Sequence, residues 1–208
     1  MASEWYIATV RHGETDFNRQ GRYAGSIDVG LNDRGREEVT LASKLLRQFQ
    51  YDISISSSLK RAVETARILT EGRTEIIPCD YARERHYGVL QGLTLEEVER
   101  IRPPVRFIRV GGDYHSLDPP EGESFEELRA RAEKLRDYIL SNHRGRRVLI
   151  VSHGTFLQQF HGLLRGQDWI ESLGTSVGNL LLTTFHWSDD KVIREERLHL
   201  TDKKQGSF

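Results

Sequence analysis

The chain has 208 residues, with 30 Lys and Arg against 31 Asp and Glu for a net charge of -1, and 37% hydrophobic residues, enough for one globular domain with a sizeable core over residues 1–208. Balanced charge offers no global attraction to nucleic acid or an anionic membrane, no apolar run approaches a bilayer span, and Met1-Ala2-Ser3-Glu4 lacks the character of a signal peptide. The single Cys79 excludes an internal disulfide and is read as a small packing residue, so a soluble cytoplasmic protein is expected.

Trp5 to Val10 reads as a short buried strand running into Arg11-His12-Gly13-Glu14-Thr15, which sets a cation, a candidate nucleophile and an unobstructed backbone on a rigid mount. Such a set suits phosphoryl chemistry. Asp16 to Gly30, rich in Asn, Gly, Ser and Asp, reads as loop. Asn32 is expected to cap a first helix with Val39, Ala42, Leu46 and Phe49 on its inner face. Ile53 to Ser56 forms a second strand, and Ser57 and Ser58 offer caps for a helix turning Ala62, Ala66 and Leu69 inward. Lys60 and Arg61 fall in its first turn, where the helix dipole disfavours each cation by about 0.3–1 kcal/mol. Either an external anion near Arg61 offsets that positive end, or both are solvated surface charges.

Glu75 to Pro78 is a third strand, followed by the densely charged loop 82–88. There Glu84 either pairs with a neighbouring Arg, the commoner fate, or acts as a general acid and base. Residues 94–101 form a short helix and Arg102 to Pro120 reads as a long loop, so 94–121 is taken as a lid or specificity insertion in which Arg106, Arg109, Asp113 and His115 could read the substrate. The capping box Ser124-Phe125-Glu126-Glu127 opens a long helix with Leu128, Ala132, Leu135 and Ile139 inward. Arg147 to Ser152 is another buried strand, and it too ends in His-Gly, at His153 and Gly154, before a helix near 155–164. Leu180 to Trp187 and Val192 to Leu198 form a hairpin across residues 188–191, and the tail from Lys203 is expected to fray. Alternating strands and helices predict an α/β fold, a three-layer α/β/α sandwich whose mainly parallel sheet has about six strands and one antiparallel edge strand. Function belongs at the carboxyl ends of the strands, where both His-Gly pairs lie.

Taken together, Arg11-His12-Gly13-Glu14-Thr15, Asn18, Ser58-Leu59-Lys60-Arg61-Ala62, Glu84-Arg85-His86-Tyr87-Gly88 and Ser152-His153-Gly154 resemble the histidine phosphatase superfamily, in its phosphoglycerate mutase-like branch, over nearly the whole chain. The resemblance implies that His12 attacks phosphorus and becomes phosphohistidine, that Arg11, Arg61 and His153 hold the phosphate as three positive groups, and that Glu84 protonates the leaving oxygen and later deprotonates water. It makes Asn18, Gly25, Tyr87, Gly154 and Thr155 further substrate contacts and calls for no metal and no cofactor.

The family holds both mutases and phosphatases. Glu84 to Gly92 looks mutase-like, but cofactor-dependent mutases carry a Lys where Leu95 stands, an Asn where Thr155 stands, and a longer insertion with paired Arg that Arg102 to Pro120 does not reproduce. Loss of those cations favours hydrolysis. The expected function is a metal-independent phosphomonoesterase acting on small phosphorylated metabolites, with phosphoglycerate mutase as the alternative. A catalytically silent phosphate-binding protein is the rival from another class, and the presence of both His12 and Glu84 argues against it. His12, His86, His153, His161 and His186 lack close metal-ligand spacing. No nucleic acid or membrane partner is expected, and a homodimer through the hairpin edge or the exposed helix faces is left open.

Overall fold

The computed structural model describes residues 5–188 and 191–201; the tail expected to fray and the middle of the last hairpin turn lie outside them. A six-stranded sheet runs in the order β3 (Ile76–Cys79), β2 (Ile53–Ser57), β6 (Val148–Ser152), β1 (Trp5–Arg11), β7 (Leu181–Ser188) and β8 (Lys191–His199). The first four are parallel, β7 is antiparallel to β1, and β8 is antiparallel to β7 along the outer edge. This is the mainly parallel α/β sheet expected, with bounds shifted by a residue or so. Leu180 drops out of β7 because its φ of 56° is left-handed.

Strands β1 and β6 lie inside the sheet, and their near-continuous apolar runs require cover on both faces. Ile7, Val148 and Ile150 pack against Leu128, Leu135, Phe156 and Phe160 of α5 (Phe125–Asn142) and α6 (Gly154–Arg165). Ala8, Val10, Leu149 and Val151 pack against Val39, Leu46, Ala62 and Leu69 of α2 (Asp33–Leu46) and α3 (Lys60–Thr70). Alternation along each strand therefore feeds two cores, one per face. Burying each large apolar side chain stabilises the layers by about 1.5–3 kcal/mol. Asn32 caps α2 and Ser124 closes a capping box on α5, as their sequences predict. Phe49 lies beyond the end of α2 yet packs on the same core.

Three local expectations are corrected. The stretch from Asp16 to Gly30 is not all loop: Asp16–Arg19 forms α1 because Thr15 and Asn18 close a reciprocal capping box. Neither Ser57 nor Ser58 caps α3, whose cap position is Leu59; instead the Asp28 carboxylate accepts from the Lys60 N–H at 2.7 Å. Asp28 thus offsets the positive helix end at Lys60, while Arg61, in the same turn, is buried against the cavity. Finally, Arg102 to Pro120 is not a plain loop, because Phe107–Val110 (β4) and Asp113–Ser116 (β5) pair as an antiparallel hairpin. Gly111 and Gly112, at φ 63° and 106°, supply the two left-handed positions of its turn. The same region carries α4 (Leu95–Glu99), capped by Thr94, and the chain later forms α7 (Trp169–Ser172), which the sequence reading missed.

The hairpin is fastened to the loop that carries Glu84. Gly88 has φ 51°, and a Cβ there would lie 1.9 Å from the Pro120 carbonyl oxygen, so only glycine permits the close approach. Across that contact Val89 N–H donates to Pro120 O at 3.0 Å and Glu123 N–H to His86 O at 2.8 Å. No helix among the described residues is long and apolar enough to cross a membrane.

Candidate active site

Strands β1 and β6 are neighbours in parallel register, with Arg11 beside Ser152, so the residues that follow them, His12 and His153, emerge side by side. Their ring centroids are 5.0 Å apart. The doubled strand-His-Gly pattern thus becomes one site by sheet topology alone.

His12 is 3% exposed, and its Nδ1–H donates to the Gly13 carbonyl at 2.7 Å, which leaves Nε2 with its lone pair. Burial first, then Arg61 and Arg11, push its pKa well below the ordinary imidazole value, so His12 is neutral. Its backbone is fixed from three sides: His12 N–H donates to Ser152 O at 3.0 Å, Asn179 Nδ2 to His12 O at 2.5 Å, and Gly13 N–H to Thr65 Oγ1 at 3.1 Å. Gly13 itself has no room for a side chain, because a Cβ would meet Val39 Cγ2 at 2.6 Å.

Arg61 is 1% exposed and donates to His153 Nδ1 at 3.1 Å, Ile27 O at 2.8 Å and Gly25 O at 2.7 Å. Burial pulls its pKa down to about 10, which still leaves it charged at neutral pH. Gly25, at φ 50°, lets the chain present its carbonyl; a Cβ there would sit 2.2 Å from Gln91 Oε1, which is held by Ser26. Arg11 donates from Nη1 to Val177 O at 2.8 Å, while its buried Nε has no protein partner and stands ready for a ligand oxygen. Gly154 lies against this guanidinium, with 3.3 Å between a built Cβ and Arg11 Cζ.

His153 departs from the sequence reading. It is 0% exposed and does not line the cavity; Nδ1 accepts from Arg61 and Nε2 meets Ser57 Oγ at 2.8 Å. Burial first, then Arg61 and His12, hold it neutral, far below the ordinary imidazole pKa. Without a bound anion, burial beside Arg61 disfavours a third positive charge. Two cations, Arg11 and Arg61, therefore flank His12, with a neutral imidazole that orients one of them.

Among the described residues Glu84 does not form the salt bridge that its sequence context favoured. Its carboxylate accepts from the backbone N–H groups of Arg85 at 2.8 Å, Phe156 at 3.0 Å and Thr155 at 3.3 Å, and so caps α6, for which His153 supplies no side-chain cap. Arg85 turns away to donate to the carbonyls of Ser116, Leu117 and Glu123 at 2.6, 2.9 and 2.8 Å, clamping the hairpin. Arg131 braces the loop from behind, donating to the Tyr81, Arg83 and Glu84 carbonyls at 2.8, 2.7 and 3.2 Å.

Arg11, His12, Arg61, Glu84 and Arg85 line a cavity of about 490 Å³ together with Asn18, Gly25, Tyr87, Gly154 and Thr155. Asn18 Oδ1 accepts from Thr15 N–H and Oγ1 at 3.1 and 3.0 Å, leaving its NH2 to donate to the cavity. Tyr87 shares a hydrogen bond with Thr155 Oγ1 at 2.6 Å, and burial raises its pKa, keeping the phenol protonated. Of the four insertion residues expected to read the substrate, Asp113 and His115 reach the cavity. Arg106 pairs instead with Asp118, and Arg109 stacks 5.7 Å from the Tyr114 ring centroid. The sequence reading missed Arg85 as a clamp, together with Thr65, Asn179 and Gln158. The crowded charges of loop 82–88 hinted at Arg85, whereas Asn179 reaches His12 from 167 residues away and left no local signal. Among the described residues no group of three or more His, Cys, Asp or Glu is arranged to hold a metal ion.

A neutral nucleophile between two fixed cations, with a carboxyl group opposite, is suited to displacement at a phosphate. Residues 7–198 match the family model of the histidine phosphatase superfamily (branch 1). The chain is 34% identical over 194 residues to an Arabidopsis thaliana metal-independent phosphoserine phosphatase, covering 90% of this chain and 78% of that one. It is 28% identical over 200 residues to a Bartonella henselae 2,3-bisphosphoglycerate-dependent phosphoglycerate mutase, covering 92% and 97%. A mycobacterial glucosyl-3-phosphoglycerate phosphatase structure superimposes with a TM-score of 0.76 at 26% identity, covering 98% of this chain and 100% of that chain.

Proposed function

The chain belongs to the histidine phosphatase superfamily, branch 1, and we propose that within it this protein is a metal-independent phosphomonoesterase that hydrolyses small phosphorylated metabolites through a phosphohistidine on His12. The observation that carries this reading is the tautomer of His12: Nδ1 is tied to Gly13 O, so Nε2 is the free nucleophile, and it lies among Arg11 and Arg61.

In the first step Nε2 of His12 forms a bond to phosphorus as the bond to the ester oxygen breaks, and the carboxyl group of Glu84 delivers a proton to the departing alcohol. Arg11, Arg61 and the Asn18 amide neutralise the equatorial oxygens, and His153 acts by holding Arg61 in line. In the second step water attacks phosphorus, Glu84 takes its proton, the phosphorus–nitrogen bond breaks, and inorganic phosphate leaves. Residues 94–121 form the wall of a single domain that meets the rest of the substrate.

Hydrolysis is favoured over the mutase reaction by what the outer wall lacks. Leu95 and Thr155 occupy positions where mutases carry a cation and an amide. The nearby Arg22 spends Nη1 on Glu97 at 2.9 Å and on Gly92 O at 2.7 Å, so its charge is already partly offset before a second anion arrives. The test is inorganic phosphate release from a panel of phosphomonoesters, with and without chelator, beside a coupled assay for conversion of 3-phosphoglycerate to 2-phosphoglycerate. Chelator-resistant release without isomerisation supports the reading; efficient isomerisation with little release overturns it.

A further inference from the structure

We propose that the outer half of the cavity selects phosphomonoesters bearing an amino group, through the carboxylate of Asp113, and turns away esters bearing a second anion. The proposal rests on the phosphatase reading and adds the substrate class.

The argument is a census of what the outer wall offers. Its cations are partly offset: Arg22 spends Nη1 on Glu97 and Gly92 O and Nε on Gln20, and Arg85 donates to the carbonyls of Ser116, Leu117 and Glu123. Its acceptors are not. Asp113, the first residue of β5, lines the cavity and has no ion pair or side-chain hydrogen bond among the described residues. Gln158, on α6, donates its amide nitrogen to Leu173 O at 3.3 Å and Thr175 O at 3.1 Å, so its side chain has only the carbonyl oxygen left to offer. Burial lowers the pKa of His115, the nearby Asp113 carboxylate opposing it more weakly, so His115 brings little positive charge to this wall.

A carboxylate or second phosphate needs positive charge, and here it would meet the like charge of Asp113 with the Arg22 guanidinium already paired to Glu97. An ammonium group needs acceptors, and it would find the Asp113 carboxylate and the Gln158 oxygen. The cavity therefore offers free donors at Arg11 and Asn18 and free acceptors at Asp113 on the hairpin and Gln158 on α6. A zwitterionic substrate, phosphate inward and amine outward, matches both.

The experiment uses three esters of nearly equal size: 2-aminoethyl phosphate, 2-hydroxyethyl phosphate and 2-phosphoglycolate. Ratios of kcat/KM are measured for the wild type, Asp113→Asn and Asp113→Lys. Each ratio is taken within one preparation, so loss of folded protein cancels. The wild type is expected to prefer the amine to phosphoglycolate by about tenfold or more. Asp113→Asn should collapse that ratio, chiefly through KM, and Asp113→Lys should invert it. If the wild type turns over all three esters with the same ratio as both variants, amine selection is wrong and the phosphatase reading stands. If none of these esters, nor any of the broader panel, releases phosphate, the underlying reading has failed instead.

Discussion

Arg61 and Asp113 line the same cavity, yet one is buried with its guanidinium fixed on two carbonyls and an imidazole, whereas the other sits half-exposed on a two-stranded hairpin with no side-chain partner among the described residues. The inner half is mounted on the central sheet and the first turns of α3 and α6. The outer half hangs from the glycine contact at Gly88 and from the clamp of Arg85. Charge stabilisation gains most from dipoles that do not reorganise, and the inner half provides that. Recognition of varied alcohols gains from a wall whose residues can change without disturbing the chemistry.

Changes inside should therefore act on turnover and changes outside on substrate choice. The largest effect is expected for His12→Ala, which removes the nucleophile: kcat should fall by a factor on the order of 10⁴ or more while the melting temperature changes little. Stopped assays with single-turnover controls read this directly, and near-normal turnover would erase the distinction between the halves.

That the inner half is recognisable from sequence has a local cause. An apolar run followed at once by His-Gly occurs at both residues 5–13 and 148–154, and the parallel sheet needs no further information to bring the two together. Other features depend on partners distant in the chain. Asp28 caps a helix that starts 32 residues later, and Arg85 reaches carbonyls more than 30 residues on. The neutrality of His153 follows from complete burial beside Arg61, which no spacing reveals. The β4–β5 hairpin was hidden by its flanking prolines, although Phe107-Ile108-Arg109-Val110 followed by Gly-Gly carries the chemistry of a strand and a tight turn.

Glu84→Gln comes next in size. The amide keeps one oxygen for the N–H groups of α6 but cannot shuttle a proton, so kcat should drop about 10²- to 10⁴-fold while binding of inorganic phosphate, read by calorimetry, persists. If the variant unfolds instead, capping rather than chemistry is the main role of this residue. Arg85→Lys probes the outer half: one ammonium cannot reproduce a fork serving three carbonyls, so KM should rise by about tenfold with a smaller change in kcat. Hydrogen exchange should quicken in residues 107–116 and not in β1 or β6.

The smallest effect concerns pH. His12 and His153, with His161 behind them on Thr9, are held below the ordinary imidazole value of 6.5 by burial, His161 down to about 3. A depressed histidine contributes stability that is complete above pH 6.5 and is lost as pH falls from 6.5 toward its folded value. Each group should steepen the loss by up to about 1.4 kcal/mol per pH unit. Urea midpoints between pH 7 and 5 would show it, and His161→Gln should remove one group's share of the slope. A flat profile would mean that the inner half is less sealed than its burial implies.

The central claim is that His12 carries the phosphoryl group. It is tested most directly by mixing the Glu84→Gln variant, in which breakdown of the intermediate is slowed, with a substrate identified by the phosphate-release panel, quenching in alkali, and mapping the adduct by mass spectrometry under conditions that preserve phosphohistidine. The account predicts one acid-labile phosphoryl group on the peptide containing His12, present at early times and absent from His12→Ala. Turnover by the wild type with no adduct on His12 at any time, or an adduct on another residue, would contradict it.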